Sequence, residues 1–182
     1  LEGVLQLPQV PPAIYTKILT AYKNSIQLKN LISELLDFRK QEQGMMKLRV
    51  QESNIVHFLN ETYLLFVTYA NTKQIHLEFR KSGEEIKLWF DAKQLQKVIN
   101  NLLSNAIKHC KAESRIILSV YQEHEFIYFS VEDNGVGIPA KEIDKIFDRF
   151  YQGSTETEVN AGTGIGLALT KGIVELHHGT IH

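Results

Sequence analysis

Asn101, Asn105 and Lys108 stand at i, i+4 and i+7 in the run DAKQLQKVINNLLSNAIKHC, a spacing that puts all three on one side of a helix. Amide oxygens suit a hard cation, and the lysine brings a charge that attracts phosphate. The same spacing also fits an ordinary solvated helix face. Two glycine clusters follow. In VEDNGVGIP, Glu132 and Asp133 precede Gly135 and Gly137, so a carboxylate acceptor stands beside a turn that lets a ligand approach the backbone closely. An acid there would repel phosphate. No further carboxylates at EF-hand spacing accompany it, which disfavours a calcium loop. In GTGIGL, Gly162, Gly164 and Gly166 lead into an apolar helical run with no acid among them. Free N–H groups at a helix start favour an anion. A dinucleotide-binding loop would follow the first strand of a βαβ unit, whereas this one follows a long polar loop.

That polar loop, YQGSTETEVNA over residues 151–161, cannot bury itself and reads as a lid between the two glycine clusters. Phe147 and Phe150 flank Asp148 and Arg149 just before it. The two rings could stack near a base or pin the hinge of the lid to the core.

Elements must hold these groups in place. The 91–110 helix gathers Leu95, Val98, Ile99, Leu102 and Ala106 on its buried side, with Asp91 as N-cap and Gln94 in a capping-box position. Residues 74–80 and 85–90 alternate at period two around Ser82-Gly83 and read as a hairpin. Residues 115–121 and 126–131 form a second strand pair. A short strand over 47–51, a helix from an N-cap at Ser53 to about Ala70, a short helix over 141–147 and a last helix over 164–176 complete this part. The order gives an α+β fold with one sheet and helices on one face.

Upstream, LPQVPP breaks any helix. Ile14, Ile18, Ala21, Ser25, Leu28, Ile32 and Leu35 then step by fours and threes, a coiled-coil-type seam that Leu19, Tyr22, Ile26, Leu31 and Leu36 widen toward a bundle. With residues 1–7 as the stub of an earlier helix, residues 1–44 read as part of a helical hairpin that Gly44 ends. The alternative is a helix packed on its own domain.

A net charge of -1 argues against a general nucleic-acid binder, and Cys110 as the only cysteine leaves no internal disulfide. No apolar run is long enough to span a bilayer. Leu1 starts inside helical pattern and His182 stops inside strand pattern, so a piece of a longer protein is expected.

Taken in order, NLLSNAIK, DNGVGI, IFDRFY and GTGIGLAL closely resemble the N, G1, F and G2 boxes of sensor histidine kinases. LISELLDFRKQEQG is similar to the second helix of that family's dimerisation and phosphotransfer domain, and its LLDFRK wording resembles hybrid members. The resemblance covers nearly the whole chain. It implies a Bergerat-type ATP-binding α/β sandwich over residues 45–182, shared with gyrase, Hsp90 and MutL, after a partial helical hairpin over residues 1–44.

By this resemblance, Asp133 accepts from the adenine amino group, with Gly135, Gly137 and Ile138 around the base. Asn101 would hold Mg2+ on the phosphates, with Asn105 beside it, Lys108 near the phosphate chain and His109 near the nucleotide. Phe150, Gly162, Thr163, Gly164, Ile165, Gly166 and Leu167 would shape the lid and the phosphate site. The implied reaction passes the γ-phosphoryl of ATP to a histidine in an H-box, then to an aspartate of a response-regulator receiver domain, on the same chain or a separate one. None of the seven histidines (His57, His76, His109, His124, His177, His178 and His182) stands in an H-box. The acceptor is therefore expected before Leu1, and the isolated chain is expected not to label itself. The family's homodimer forms through the bundle, in the cytoplasmic region of a membrane-anchored sensor. After HHGTIH the family usually adds further strands, and Gln152 replaces a frequent arginine. An ATPase or nucleotide switch of the gyrase type is the alternative; there a glutamate precedes the metal-binding asparagine by four residues. Here that position is Lys97, which disfavours hydrolysis.

Overall fold

The computed structural model describes residues 11–153 and 163–182. The chain divides into two compact units, Leu1–Met46 and Lys47–His182. The first holds helix α1, Pro12–Glu42, which starts with proline at its first turn, where the missing N–H costs nothing. It ends where Gly44 turns to φ +64° and the chain folds back on the last carbonyls. Met45 N–H donates to Lys40 O at 2.8 Å and Gly44 N–H to Gln41 O at 3.0 Å, a Schellman closure. Ile14, Leu28, Ile32 and Leu35 of the seam are exposed. The stub at residues 1–7 lies outside the described residues.

The second unit runs β1 (Gln51–Asn54), α2 (Ile55–Thr72), β2 (His76–Lys81), β3 (Lys87–Phe90), α3 (Ala92–His109), β4 (Arg115–Glu123), β5 (Phe126–Asp133), a 3-10 turn (Ala140–Lys145) and α4 (Gly166–Leu176). The α+β class and the mixed pairing agree with the sequence reading, but the strands form two sheets. β2 lies parallel to β4, which lies antiparallel to β5, while β1 and β3 pair antiparallel on their own. Residues 74–80 and 85–90 therefore do not make a hairpin. Ser82 N–H donates to Val120 O at 3.1 Å, which keeps the chain along β4. Asn54 then draws residues 84–86 away: its Oδ1 accepts from Ile86 N–H at 3.2 Å and its Nδ2 donates to Glu84 O at 3.1 Å. Alternation reports which face is buried, not which strand is the neighbour.

The same asparagine is the N-cap of α2, accepting from Val56 N–H at 3.0 Å, so the cap is Asn54 rather than Ser53 and the preceding strand is 51–54 rather than 47–51. Ile55 and Leu59 of α2, Val98, Ile99 and Leu103 of α3, Ile116 and Leu118 of β4 and Ile173 of α4 are fully buried. On α3 the core position is Leu103, with Leu102 only half-buried. Both neighbours are leucine, and the pattern could not choose between them.

Asp91 caps α3 as expected, its Oδ1 accepting from Gln94 N–H at 3.0 Å. The reciprocal half of the capping box is absent. Gln94 Oε1 is buried without a hydrogen-bond partner among the described residues. Asp91 N–H instead donates to Nε2 of His177, at the end of α4, at 3.1 Å.

Two carboxylates set an acid limit. Burial alone would raise the Asp91 carboxyl, but the N–H groups of Arg49, Gln94 and Lys93 hold it below the usual range. The hydrogen bond from Arg80, then that from Arg115, lowers Glu78 to about 2. Both pKa values are depressed on folding, so their stabilisation is full above the unfolded value, about 4, and is lost as pH falls through the folded one. Urea midpoints should hold steady as far as these groups are concerned between pH 7 and 5, then fall below pH 4. Glu78→Gln should flatten that acid slope, and an unchanged slope would remove Glu78 from the account.

Candidate functional site

Helix α3 is the shared platform. Asn101 and His109 lie eight residues apart on it, about 12 Å along the axis at 1.5 Å per residue. A different segment closes on each of these two positions.

At the Asn101 end the partner is the start of α4. Asn101 Nδ2 donates to Thr170 Oγ1 at 2.9 Å, and Thr170 is buried. This sets the amide so that its oxygen lies over Gly166, where a Cβ would come within 2.5 Å of Asn101 Oδ1. Only glycine allows that approach. The first-turn N–H groups of α4 have no partner within the helix, and no acid stands among them. An amide oxygen thus sits beside a positive helix end, with Thr163 Oγ1 accepting from Ile165 N–H at 3.2 Å just before it.

At the His109 end the loop after β5 closes in. Asp133 Oδ1 accepts from Gly135 N–H at 2.9 Å, and Val136 N–H donates to His109 O at 3.3 Å. A Cβ on Gly135 would stand 2.6 Å from His109 O, a backbone atom that cannot yield, so this glycine is required by packing rather than by φ. Asn134 anchors the loop, its Oδ1 accepting from Arg115 N–H at 2.7 Å. The Asp133 carboxylate is exposed. Cys110 Sγ lies 4.0 Å from Asp133 Oδ1, and burial, then the charge of Asp133, pushes the thiol up.

The two ends of the polar loop meet. Phe150 N–H donates to Gly164 O at 2.9 Å, with Phe150 at φ +58° and Gly164 at φ +66°. A Cβ on Gly164 would lie 2.7 Å from Phe150 Cα. Burial, then a hydrogen bond with buried Glu142, raises the Tyr151 phenol at this base. Gly162 and residues 154–161 of the expected lid lie outside the described residues.

The structure therefore brings Asn101 to Gly166 and Thr170, the carbonyl of His109 to Gly135 and Val136, Asp133 to Gly135 and Cys110, and Phe150 to Gly164. Asn105 and Lys108 lie half-buried on α3 between Asn101 and His109. Gly137 turns at φ +70°, Ile138 is exposed and Leu167 lies in the first turn of α4. Thr170 and Cys110 escaped the sequence reading. A lone threonine inside the apolar run GLALTKGIVEL was the available signal for the first. For the second there was none beyond its place at the end of α3.

Among the described residues, no group of three or more His, Cys, Asp or Glu could hold a metal ion. The amide oxygen of Asn101 is a hard oxygen donor, the kind of ligand that Mg2+ takes.

The α+β domain thus presents a carboxylate near the C-terminal end of α3 and, about 12 Å back along the same helix, an amide oxygen beside the first turn of α4. The chain belongs to the histidine kinase-, DNA gyrase B- and HSP90-like ATPase family, whose sequence model matches residues 90–182. It is 36% identical over 172 residues to histidine kinase P4 of Formosa agariphila, covering 92% of this chain and 13% of that protein. It is 35% identical over 181 residues to the sensor histidine kinase RcsC of Escherichia coli, covering 98% of this chain and 19% of that one. The chain thus spans less than a fifth of each of these two relatives. Among solved structures, the catalytic domain of histidine kinase ThkA superposes with a TM-score of 0.63 at 27% identity, over 70% of this chain and 81% of that one.

Proposed function

We propose that this chain is the ATP-binding catalytic portion of a sensor histidine kinase. The observation that carries the reading is the pair of loops on α3, Asp133 with Gly135 at His109 and Gly166 with Thr170 at Asn101. The adenine amino group donates to Asp133, whose Oδ1 is already fixed by Gly135 N–H. The phosphates lie toward the first turn of α4, with Lys108 along their course. Asn101 Oδ1 would be the protein's ligand for Mg2+, which would supply charge neutralisation at the phosphates.

With binding arranged in this way, transfer of the γ-phosphoryl is a matter of positioning and charge neutralisation. A neutral imidazole nitrogen attacks in line. Lys97 stands where a hydrolytic relative would place its water-activating glutamate, which favours transfer over hydrolysis. None of the seven histidines lies in an H-box, so the acceptor is contributed by another segment and the 182-residue chain alone does not label itself. Residues 1–44 act as part of the dimerising helical hairpin, the phosphoryl passes on to a response-regulator aspartate, and the whole works in the cytoplasmic region of a sensor. Among the described residues, no helix is long and apolar enough to cross a membrane.

Calorimetric titration of the chain with Mg·ATP and with Mg·GTP tests the binding claim. ATP should bind and GTP, whose base offers a carbonyl where adenine offers an amine, should bind at least about tenfold more weakly. Equal affinities would remove Asp133 from base recognition.

A further inference from the structure

We propose that His177 is a positioning residue: its ring closes the cap of α3 from the far end of α4, and so fixes the two helices that carry the phosphate end of the site. This rests on the nucleotide reading given above. Asp91 N–H faces His177 Nε2 at 3.1 Å. A peptide nitrogen only donates, so Nε2 must carry its lone pair. His177 Nδ1 lies 2.8 Å from Ile173 O, and a carbonyl only accepts, so Nδ1 carries the proton. Two backbone groups thus select one neutral tautomer of the ring.

The contact replaces a bond that the local sequence offers and does not use. Gln94 sits where a capping box would return its side chain to the cap N–H, yet its Oε1 has no partner among the described residues. The Asp91 carboxylate is engaged by Gln94 N–H and, through Oδ2, by Arg49 N–H at 2.8 Å. Asp91 is therefore a joint among the chain before β1, the start of α3 and the end of α4.

Its value lies in leverage. Asn101–Thr170 ties α3 to α4 at the site, and Asp91–His177 ties them again further away. The two ties are ten residues apart on α3, about 15 Å, and seven apart on α4, about 10 Å. A single tie leaves a pivot, whereas two separated ties fix the angle as well. The placement of Gly166 over Asn101 Oδ1 tolerates little rotation, since a single added Cβ would already collide.

The test uses the full 182-residue chain, with His177→Phe and His177→Gln. Nitrogen-15 ring spectra of the wild type at neutral pH should show a protonated Nδ1 and an unprotonated Nε2; the opposite tautomer or a charged ring overturns the proposal. His177→Phe should weaken Mg·ATP about three- to tenfold, the scale of one lost hydrogen bond, while adenosine, which lacks phosphates, binds as before. His177→Gln, whose amide oxygen can reach the Nε2 position, should recover most of that loss. Unchanged Mg·ATP affinity in the Phe variant, an equal loss for adenosine and Mg·ATP, or no recovery with Gln each overturns it. A wild type that binds neither ligand instead overturns the nucleotide reading itself, and the ring spectrum then still reports whether the tie exists.

Discussion

Asp133→Asn is expected to weaken ATP binding about 10- to 150-fold, the equivalent of roughly 1.5–3 kcal/mol for a hydrogen bond to a charged acceptor. The substitution is well matched to the question. Oδ1 of Asp133 accepts from Gly135 N–H at 2.9 Å, and an asparagine oxygen can keep that bond and the turn with it. What changes is the second oxygen, which becomes an NH2 donor facing the donating amino group of adenine. The loss should be the same with and without Mg2+, because the base end lies about 12 Å along α3 from Asn101. Removing the negative charge should also lower the Cys110 thiol toward its ordinary range, since Asp133 contributes to its rise after burial. Thiol titration checks that second effect independently of any nucleotide.

Asn101→Ala should produce the complementary pattern. The affinity for Mg·ATP should fall roughly 10- to 100-fold or more, since losing a ligand costs at least as much as losing a group that merely orients one. Metal-free ATP should bind nearly as it does to the wild type. The substitution also takes away the partner that buried Thr170 Oγ1 has in Asn101 Nδ2, a cost of about 1–3 kcal/mol in stability. Pairing it with Thr170→Val removes the orphaned hydroxyl. The double variant should regain stability without regaining the Mg2+ response. If it regains both, Asn101 acts only as a structural amide. Gly166→Ala should resemble Asn101→Ala, since its Cβ would displace the same oxygen.

The stretches assigned to the proposed site stand out in the sequence because they combine particular residue types at fixed local spacing. Asn101, Asn105 and Lys108 follow helical periodicity, and glycines stand where Gly135 and Gly166 are approached by His109 O and Asn101 Oδ1. The α+β class and the β4–β5 pairing were legible from alternation and turn residues. Pairing across distance was not. Nothing local tells β2 to lie beside β4, 39 residues on from His76 to Arg115, rather than beside β3. The side-chain partners show the same limit, since Asn101 meets Thr170 across 69 positions and Asp91 meets His177 across 86. Capping illustrates it most clearly. Asp91 was readable as a cap from its own neighbourhood, but the group that takes its N–H comes from the other end of the domain, leaving the locally expected Gln94 unused.

The central claim is that the chain passes phosphoryl groups to a histidine rather than to water. The direct measurement mixes the 182-residue chain with Mg2+, ATP labelled with 32P at the γ position, and a separately prepared dimerising helical segment that carries an H-box histidine. The account predicts acid-labile, base-stable label on the added segment, none on the chain itself, and little free phosphate. Release of labelled phosphate with no label on the segment would contradict it and point to a hydrolytic member of the family.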